Sequence, residues 1–362
     1  MGRIWIAGVG LADGLTLTEE VKQAAQEAEL LIGGKRLLEL FPDQRHFVLD
    51  RNLSAAADYI ASHAEKERIC VLVSGDTGFY SYARYLLSRL PDGIAATVLP
   101  GISSMQAFCA RLGISCENLA SVSMHGRAGA LLSTVSAQRR TFVLTGGQYR
   151  AEEVCRLLCE SGAGGLAVWA GECLGGAQER IIQGTAEELS ALSFADLTVL
   201  LVENPQAGSA RVPDERALWA VSMLRPHREE RCGCWADPRF AIHLAQQTEH
   251  DVLCPQAARE TGTALGRAYG QYNLCYTDAE KAWDILDAVI ADEKYFTKLQ
   301  ALLRGRKELR YVLLVRERER AIQLAERLRR DKQPVRLCTF GELDRDGNEQ
   351  SFYLLCRKEE LA

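Results

Sequence analysis

The run Val71-Leu-Val-Ser-Gly-Asp76-Thr-Gly-Phe-Tyr80-Ser81 constrains the fold more than any other part of the chain. Its apolar residues stop at Gly75-Asp76 and the chain restarts after Gly78, as a buried parallel strand does when it ends in a sharp turn beside a ligand crevice. Pro100-Gly101-Ile-Ser103-Ser104 repeats the device about 25 residues on, roughly one crossover helix plus the next strand. Two glycine-rich, hydroxyl-bearing turns leaving neighbouring strands would face one crevice.

Residues 1–205 alternate between strand and helix patterns. Strand Ile4–Val9 precedes helix Leu17–Ala28, with Thr18 as N-cap and Glu19 and Glu20 in the first turn, where the helix dipole favours acid. Strand Leu30–Ile32, helix Leu53–Glu65 (capped by Asn52 or Ser54), strand Ile69–Val73, helix Tyr80–Leu90, strand Ala95–Leu99 and helix Ser104–Leu112 follow. A second set comprises strand Ser121–Met124, helix Ala128–Gln138, strand Thr141–Leu144, helix Ala151–Ser161, strand Gly165–Ala170 and an edge pair, Glu179–Gln183 with Leu197–Val202. The repeated β-α units predict an α/β fold with mostly parallel sheets, and a break near 120–147 puts a cleft between two subdomains.

Residues 206–213 read as a polar Gly/Pro-bearing linker, and 214–362 as a further α/β domain. Its pattern starts at helix Phe240–Gln247 and ends in strands Val335–Phe340 and Ser351–Cys356, which predicts an antiparallel pair at the sheet edge. A chain of 362 residues accommodates two such domains.

Composition excludes several functions. With 47% apolar and 25% charged residues the chain is an ordinary globular sequence, and no stretch approaches the roughly 18 apolar residues of a membrane span. The start lacks the apolar core of a signal peptide, and Ile6 stands where a myristoylation site needs Ser or Thr, so a cytoplasmic protein without a membrane partner is expected. A net charge of −5 argues against a nucleic-acid binder. The twelve cysteines are scattered, and the close pair Cys232-Gly-Cys234 has no second pair or histidine cluster near it; buried reduced thiols are expected, with no metal site.

Six blocks within residues 3–205 give the chain a family resemblance. They are Gly8-Val-Gly10…Asp13…Leu17-Thr18, Ser74-Gly-Asp-Thr-Gly-Phe-Tyr80-Ser81, Pro100-Gly-Ile-Ser-Ser104…Gln106, Ser123-Met-His125-Gly126-Arg127, Glu179-Arg180-Ile181…Gly184-Thr185 and Leu200-Leu-Val-Glu-Asn204-Pro205. In this order they resemble the tetrapyrrole methylases, above all the branch that methylates C5 of precorrin-6Y or cobalt-precorrin-7 in cobalamin biosynthesis. The resemblance implies S-adenosylmethionine as methyl donor, a carboxylate-rich tetrapyrrole as substrate and a homodimer. It places the donor at Gly75, Asp76, Gly78, Phe79, Ser103, Ser104 and Leu144, and the substrate at Gly8, Gly10, Asp13, Tyr80, His125 and Arg127. Two departures stand out: Thr77 replaces a usual proline, and Leu11-Ala12 a usual Pro-Gly.

The residue types suit that chemistry. The donor is a sulfonium without phosphate, so it needs carbonyls, amides and hydroxyls rather than a lysine-bearing cradle. Gly75 and Gly78 permit close backbone approach, and Ser103 and Ser104 supply hydroxyls, unless they serve only as helix caps. Asp76 either accepts from the ligand or caps the helix at Tyr80. His125 either removes the ring proton after methylation, with Asp76 the other acid–base candidate, or hydrogen-bonds within its loop. Arg127 either pairs bidentately with substrate carboxylates or forms a surface salt bridge.

Residues 211–362 resemble a worn, Rossmann-like C15-methyltransferase (decarboxylating), with Arg211-Val-Pro213 as its entry segment. The loop expected as Gly-x-Gly-x-Gly reads Cys232-Gly-Cys-Trp-Ala-Asp-Pro238-Arg-Phe, in which Trp235 and Pro238 would crowd a cofactor. The acid expected after the second strand is replaced by Cys254-Pro255. This domain is therefore expected to keep the fold without a cofactor site, and a separate C15 enzyme becomes a candidate partner. Methylation of another tetrapyrrole, and a non-catalytic scaffold in corrin assembly, are the alternatives.

Overall fold

The computed structural model describes residues 3–11, 16–49, 53–90, 93–125, 130–208, 214–306, 308–343 and 349–357. The first unit strings together β1 (Arg3–Gly8), α1 (Glu19–Glu27), β2 (Leu30–Gly33), α2 (Lys35–Leu38), β3 (His46–Val48), α3 (Leu53–His63), β4 (Arg68–Val73), α4 (Tyr82–Leu87), β5 (Ala96–Leu99) and α5 (Ser104–Leu112). Its sheet is wholly parallel, in the order β3-β2-β4-β1-β5. Alternate residues of β1 feed two cores: Ile4 and Ile6 pack with Ile60, Val71 and Leu86, and Trp5 and Ala7 with Val21, Leu31 and Leu72. Burial on both faces is what a covered parallel sheet requires. Thr18 caps α1, its side chain accepting from the amide of Val21.

Two expectations change here. The glycine-rich turns do not leave neighbouring strands, because β1 runs between β4 and β5. The helix expected from Tyr80 begins at Tyr82 with Ser81 as its cap, since Tyr80 takes a positive φ of 46°.

The second unit comprises β6 (Ala120–Ser123), α6 (Leu131–Ala137), β7 (Arg140–Leu144), α7 (Ala151–Glu160), β8 (Ala167–Glu172), β9 (Arg180–Thr185), α8 (Ala186–Ser190) and β10 (Thr198–Glu203). Its order is β6-β7-β10-β8-β9, and β6–β7 is the parallel pair while the other pairings are antiparallel. The expected edge pair is therefore wrong, as is the expectation of a mostly parallel sheet here. The physical reason is burial: Val199 through Val202 are buried on both faces and need neighbours on each side, whereas β9 carries exposed Arg180 and Ile181 and forms the edge.

The third unit contains α9 (Glu215–Leu224), β11 (Cys232–Trp235), α10 (Pro238–Ala245), β12 (Val252–Cys254), α11 (Arg259–Tyr269), β13 (Leu274–Tyr276), β14 (Ala288–Asp292), α12 (Phe296–Gly305), β15 (Arg310–Val315), α13 (Arg318–Arg330), β16 (Val335–Leu343) and β17 (Glu349–Arg357). The sheet order is β13-β12-β11-β14-β15-β17-β16, parallel except for β17, which lies antiparallel to both β15 and β16. This is a Rossmann-like doubly wound sheet with an antiparallel hairpin at one edge. The stretch Cys232–Trp235, read from sequence as a loop, is the interior strand β11, between β12 and β14. Gly233 permits this, since a Cβ there would lie 2.5 Å from the Trp235 ring and 2.6 Å from Leu286.

All twelve cysteines are free thiols; Cys70, Cys109, Cys155, Cys232, Cys234, Cys254 and Cys356 are buried, whereas Cys275 is exposed. Among the described residues no helix is long and apolar enough to cross a membrane.

Candidate functional site

A cleft of about 1580 Å³ lies between the first and second sheets. One wall is the carboxyl-end turns of β1, β4 and β5, contributing Gly10, Gly75–Ser81, Ser103 and Ser104. The opposite wall comes from β6, β7, β8 and β10 and includes Ser123, His125, Leu144, Thr145 and Thr198.

Three strand ends meet at bare backbone. A Cβ on Gly8 would lie 2.7 Å from the Gly75 carbonyl oxygen and 2.8 Å from the Gly101 nitrogen, and one on Gly101 would lie 2.3 Å from the same oxygen. Gly10 and Gly75 exchange amide–carbonyl bonds of 3.1 and 2.9 Å, and Gly75 takes a φ of 70°. Thus Gly8 and Gly101 are required for space and Gly75 for its backbone angle. Gly8 itself is not among the lining residues; its part is to bring the turns on either side of β1 together.

Asp76 ties the same turns. Its Oδ1 accepts from the Gly78 amide at 2.8 Å and its Oδ2 from the Gly101 amide at 3.0 Å. It does not cap the following helix. The Ser103 hydroxyl is committed too: it accepts from the Gln106 amide at 3.1 Å, and Gln106 Oε1 accepts from the Ser103 amide at 2.9 Å, which closes a capping box at α5. Ser104 is half-buried on the cleft wall.

Phe79 and Tyr80 join the two walls. Phe79 packs edge-on against Phe142 with ring centroids 5.9 Å apart, and the Tyr80 hydroxyl donates to the Ser121 carbonyl at 2.9 Å. Leu11 is buried in the same seam, with Phe108, Leu174 and Val199. That packing gives the departure from Pro-Gly a role: the side chain seals the seam.

His125 is exposed on the lining, with its ring against Gly146, where a Cβ would lie 2.0 Å from Nδ1. Asp13 and Arg127 lie outside the described residues. Sequence reasoning passed over Arg36 and Arg84, both on the lining. Arg36 Nη2 reaches Ser74 Oγ at 3.5 Å. The run Gly33-Gly34-Lys35-Arg36 just after a strand was a signal, a glycine turn followed by two cations at the crevice end of a sheet.

A second crevice of about 1070 Å³ lies at the carboxyl ends of β11, β14 and β15, lined by Asp237, Arg239, Asp292, Tyr295 and Arg316 among others. Asp237 caps α10, accepting from the Arg239 amide at 3.0 Å, and the Arg239 guanidinium returns to Asp237 at 2.7 Å and to Asp214 at 3.0 Å. Arg216 grips Asp214 at 2.7 Å. Burial pushes the Asp214 carboxyl up, but these two guanidiniums outweigh it and hold it below the usual range. Burial raises Asp292. Trp235 and Pro238 both lie on the lining of this crevice, and the Trp235 indole, 6% exposed, packs 4.7 Å from the Trp283 ring. The helix N-terminus that would meet a ligand is instead closed by Asp237 and Arg239.

The fold is α/β, with the first cleft lying between two unlike sheets. Residues 3–190 match the Tetrapyrrole (Corrin/Porphyrin) Methylases, and the chain belongs to that methyltransferase family. It is similar to the cobalt-precorrin-7 C(5)-methyltransferase of Salmonella typhimurium, at 32% identity over 179 residues covering 49% of this chain and 87% of that protein. It is also similar to the precorrin-6Y C(5,15)-methyltransferase (decarboxylating) of a Sinorhizobium species, at 28% identity over 215 residues, 58% of this chain and 51% of that one. The crystal structure of the methyltransferase CobJ shares the fold, with a TM-score of 0.50 at 20% identity over 57% of this chain and 95% of the other.

Proposed function

We propose that this chain transfers a methyl group from S-adenosylmethionine to C5 of a corrin-pathway tetrapyrrole of the precorrin-6Y or cobalt-precorrin-7 type. One observation carries the reading: the cleft between the sheets is built from turns whose main chains meet at Gly8, Gly75 and Gly101, and it suits a donor that has no phosphate. The N-terminus of α5, which could receive a phosphate, is closed by its own capping box, and the described lining residues include no lysine. Carbonyls and amides of the 74–81 and 101–104 turns, with Ser104, would hold the donor.

The bound donor supplies a methyl on a positively charged sulfur. The ring carbon's electron pair forms the new C–C bond, and the S–CH3 pair stays on sulfur as a neutral thioether. The protein's task is chiefly alignment, with carbon and methyl about 3 Å apart. Arg36 and Arg84 would meet substrate carboxylates, and His125 would accept the proton released from the ring. Phe79, Leu11 and Phe142 exclude water from the seam.

We infer that the third unit has no donor site of its own, because Asp237 and Arg239 occupy the α10 terminus. The decarboxylation and the C15 methylation would then fall to a separate enzyme. Mass spectrometry of a reaction containing full-length protein, tetrapyrrole and donor tests both statements. A gain of one methyl without loss of carbon dioxide is expected; no methylation overturns the first, and two methyls with decarboxylation overturn the second.

A further inference from the structure

The C-terminal domain reaches the second sheet unit through buried polar groups. Asn204 is fully buried; its Nδ2 donates to the carbonyls of Val135 and Gly270, each at 2.9 Å, and its Oδ1 accepts from the Gln206 amide at 3.1 Å. Ser136 Oγ, also buried, accepts from the Tyr272 amide at 2.7 Å and donates to the Leu132 carbonyl at 2.7 Å. The Tyr272 side chain enters the core of the second unit with Val122, Met124, Leu131 and Val135. Nearby, Arg267 Nε donates to the Gly162 carbonyl at 3.1 Å, and a Cβ on Gly162 would lie 2.4 Å from Thr263.

The contacts at Gly162 lie just beyond α7, whereas those of Asn204, Ser136 and Tyr272 converge on α6. The helix has seven residues and no side-chain cap at its start, so it cannot hold its own conformation and depends on packing. One side, at Val135 and Ser136, is tied to residues 270–272. Another, at Ala130 and Thr134, forms part of the cleft wall next to His125.

We propose that the segment around Tyr272 is a positioning element for the methylation cleft: Asn204, Ser136 and Tyr272 latch α6 in the place where Ala130 and Thr134 complete the wall. The C-terminal domain thereby serves the first site whether or not it binds a ligand. This rests on the reading of that cleft as the methylation site. Asn204, Ser136 and Tyr272 are positioning residues and do not touch the cleft.

The test uses full-length Ser136→Ala, Tyr272→Ala and Tyr272→Phe proteins, with amide hydrogen exchange and turnover measured on each. Ser136→Ala and Tyr272→Ala are expected to exchange the Thr134 and Gln138 amides at least about tenfold faster, with β4 and β14 unchanged. They are expected to lower kcat/KM about tenfold, because misplacement of a wall by about 1 Å is costly to alignment. Tyr272→Phe, which keeps the ring, is expected to restore both. Unchanged exchange in α6, exchange raised evenly over the whole chain, or unaltered turnover by Ser136→Ala and Tyr272→Ala would overturn the latch. If the unmodified protein methylates no tetrapyrrole, the functional reading fails, and the exchange pattern alone still decides for or against the latch.

Discussion

Asp76 reaches past the end of β1 to accept the Gly101 amide at 3.0 Å, so that one carboxylate fixes the distance between two turns separated by a whole strand. A carboxylate that accepts two amides is a strong, oriented contact. Asp76→Ala is expected to cost about 1–3 kcal/mol of stability, because it leaves two amides without their acceptor. It should also weaken S-adenosylhomocysteine binding at least about tenfold, since the turns that would hold it lose their spacing. Asp76→Asn keeps one acceptor and should fall between. Calorimetric titration and thermal melts check this; an Asp76→Ala protein that binds like the parent would refute the role given to the residue.

Gly101 has no room for a side chain. A Cβ there would sit 2.3 Å from the Gly75 oxygen and 2.5 Å from that of Gly8, and both are backbone atoms that cannot swing aside. Gly101→Ala is expected to destabilise the first unit by about 3 kcal/mol, as overpacking against fixed atoms does. Gly93→Ala is a weaker control, since nothing lies within 4 Å although its φ is 89°. Urea unfolding of both variants measures the difference.

Arg36 and Arg84 line the cleft, Arg36 with a long contact of 3.5 Å to the Ser74 hydroxyl. Replacing either with alanine should raise the tetrapyrrole KM about tenfold and leave kcat nearly unchanged, the signature of uniform binding lost. Because the contacts would be exposed ion pairs, the difference should shrink at high salt. A fall in kcat at constant KM would assign these arginines a different part.

Glu179 clamps the β8–β9 turn to α5. It meets Arg111 in two bonds of 2.8 and 3.1 Å and accepts from the Gly175 amide at 2.6 Å. The Arg111 guanidinium, then the amide, hold its carboxyl below the ordinary value of 4.5. A carboxyl lowered in the folded state stabilises fully above its unfolded value, and that contribution disappears as pH falls through the folded one. The pair is partly exposed, so the gain is under about 1 kcal/mol. A gap in Tm between the parent and Glu179→Gln is therefore expected at pH 7 and should close below about pH 4.

Much of this was legible where the signal is local. Thr18 announces α1, and the Ser103–Gln106 spacing carries the capping box within four residues. The bounds of α5 and β15 can be read almost directly from apolar periodicity. What escaped depends on distant partners. Strands β9 and β10 look alike in sequence as short apolar runs, and only the burial of both faces of β10 makes it central. Cys232–Trp235 resembles a broken loop because its glycine is a packing device for a tryptophan two residues on. The part played by Asp76 could not be read locally, since one of its two acceptor bonds spans 25 residues. Arg36 and Arg84 were missed because lone arginines in helices usually belong to a solvated face.

In the second and third units the strand made latest takes an interior place: β10 slips between β7 and β8, and β17 between β15 and β16. During synthesis each half-built sheet must keep a slot open, with raw edges on both sides that invite pairing with another chain. A ribosome pausing before Thr198 or before Glu349 would leave the nascent protein at its most vulnerable to aggregation, and helpers that shield strands would matter most at those two moments.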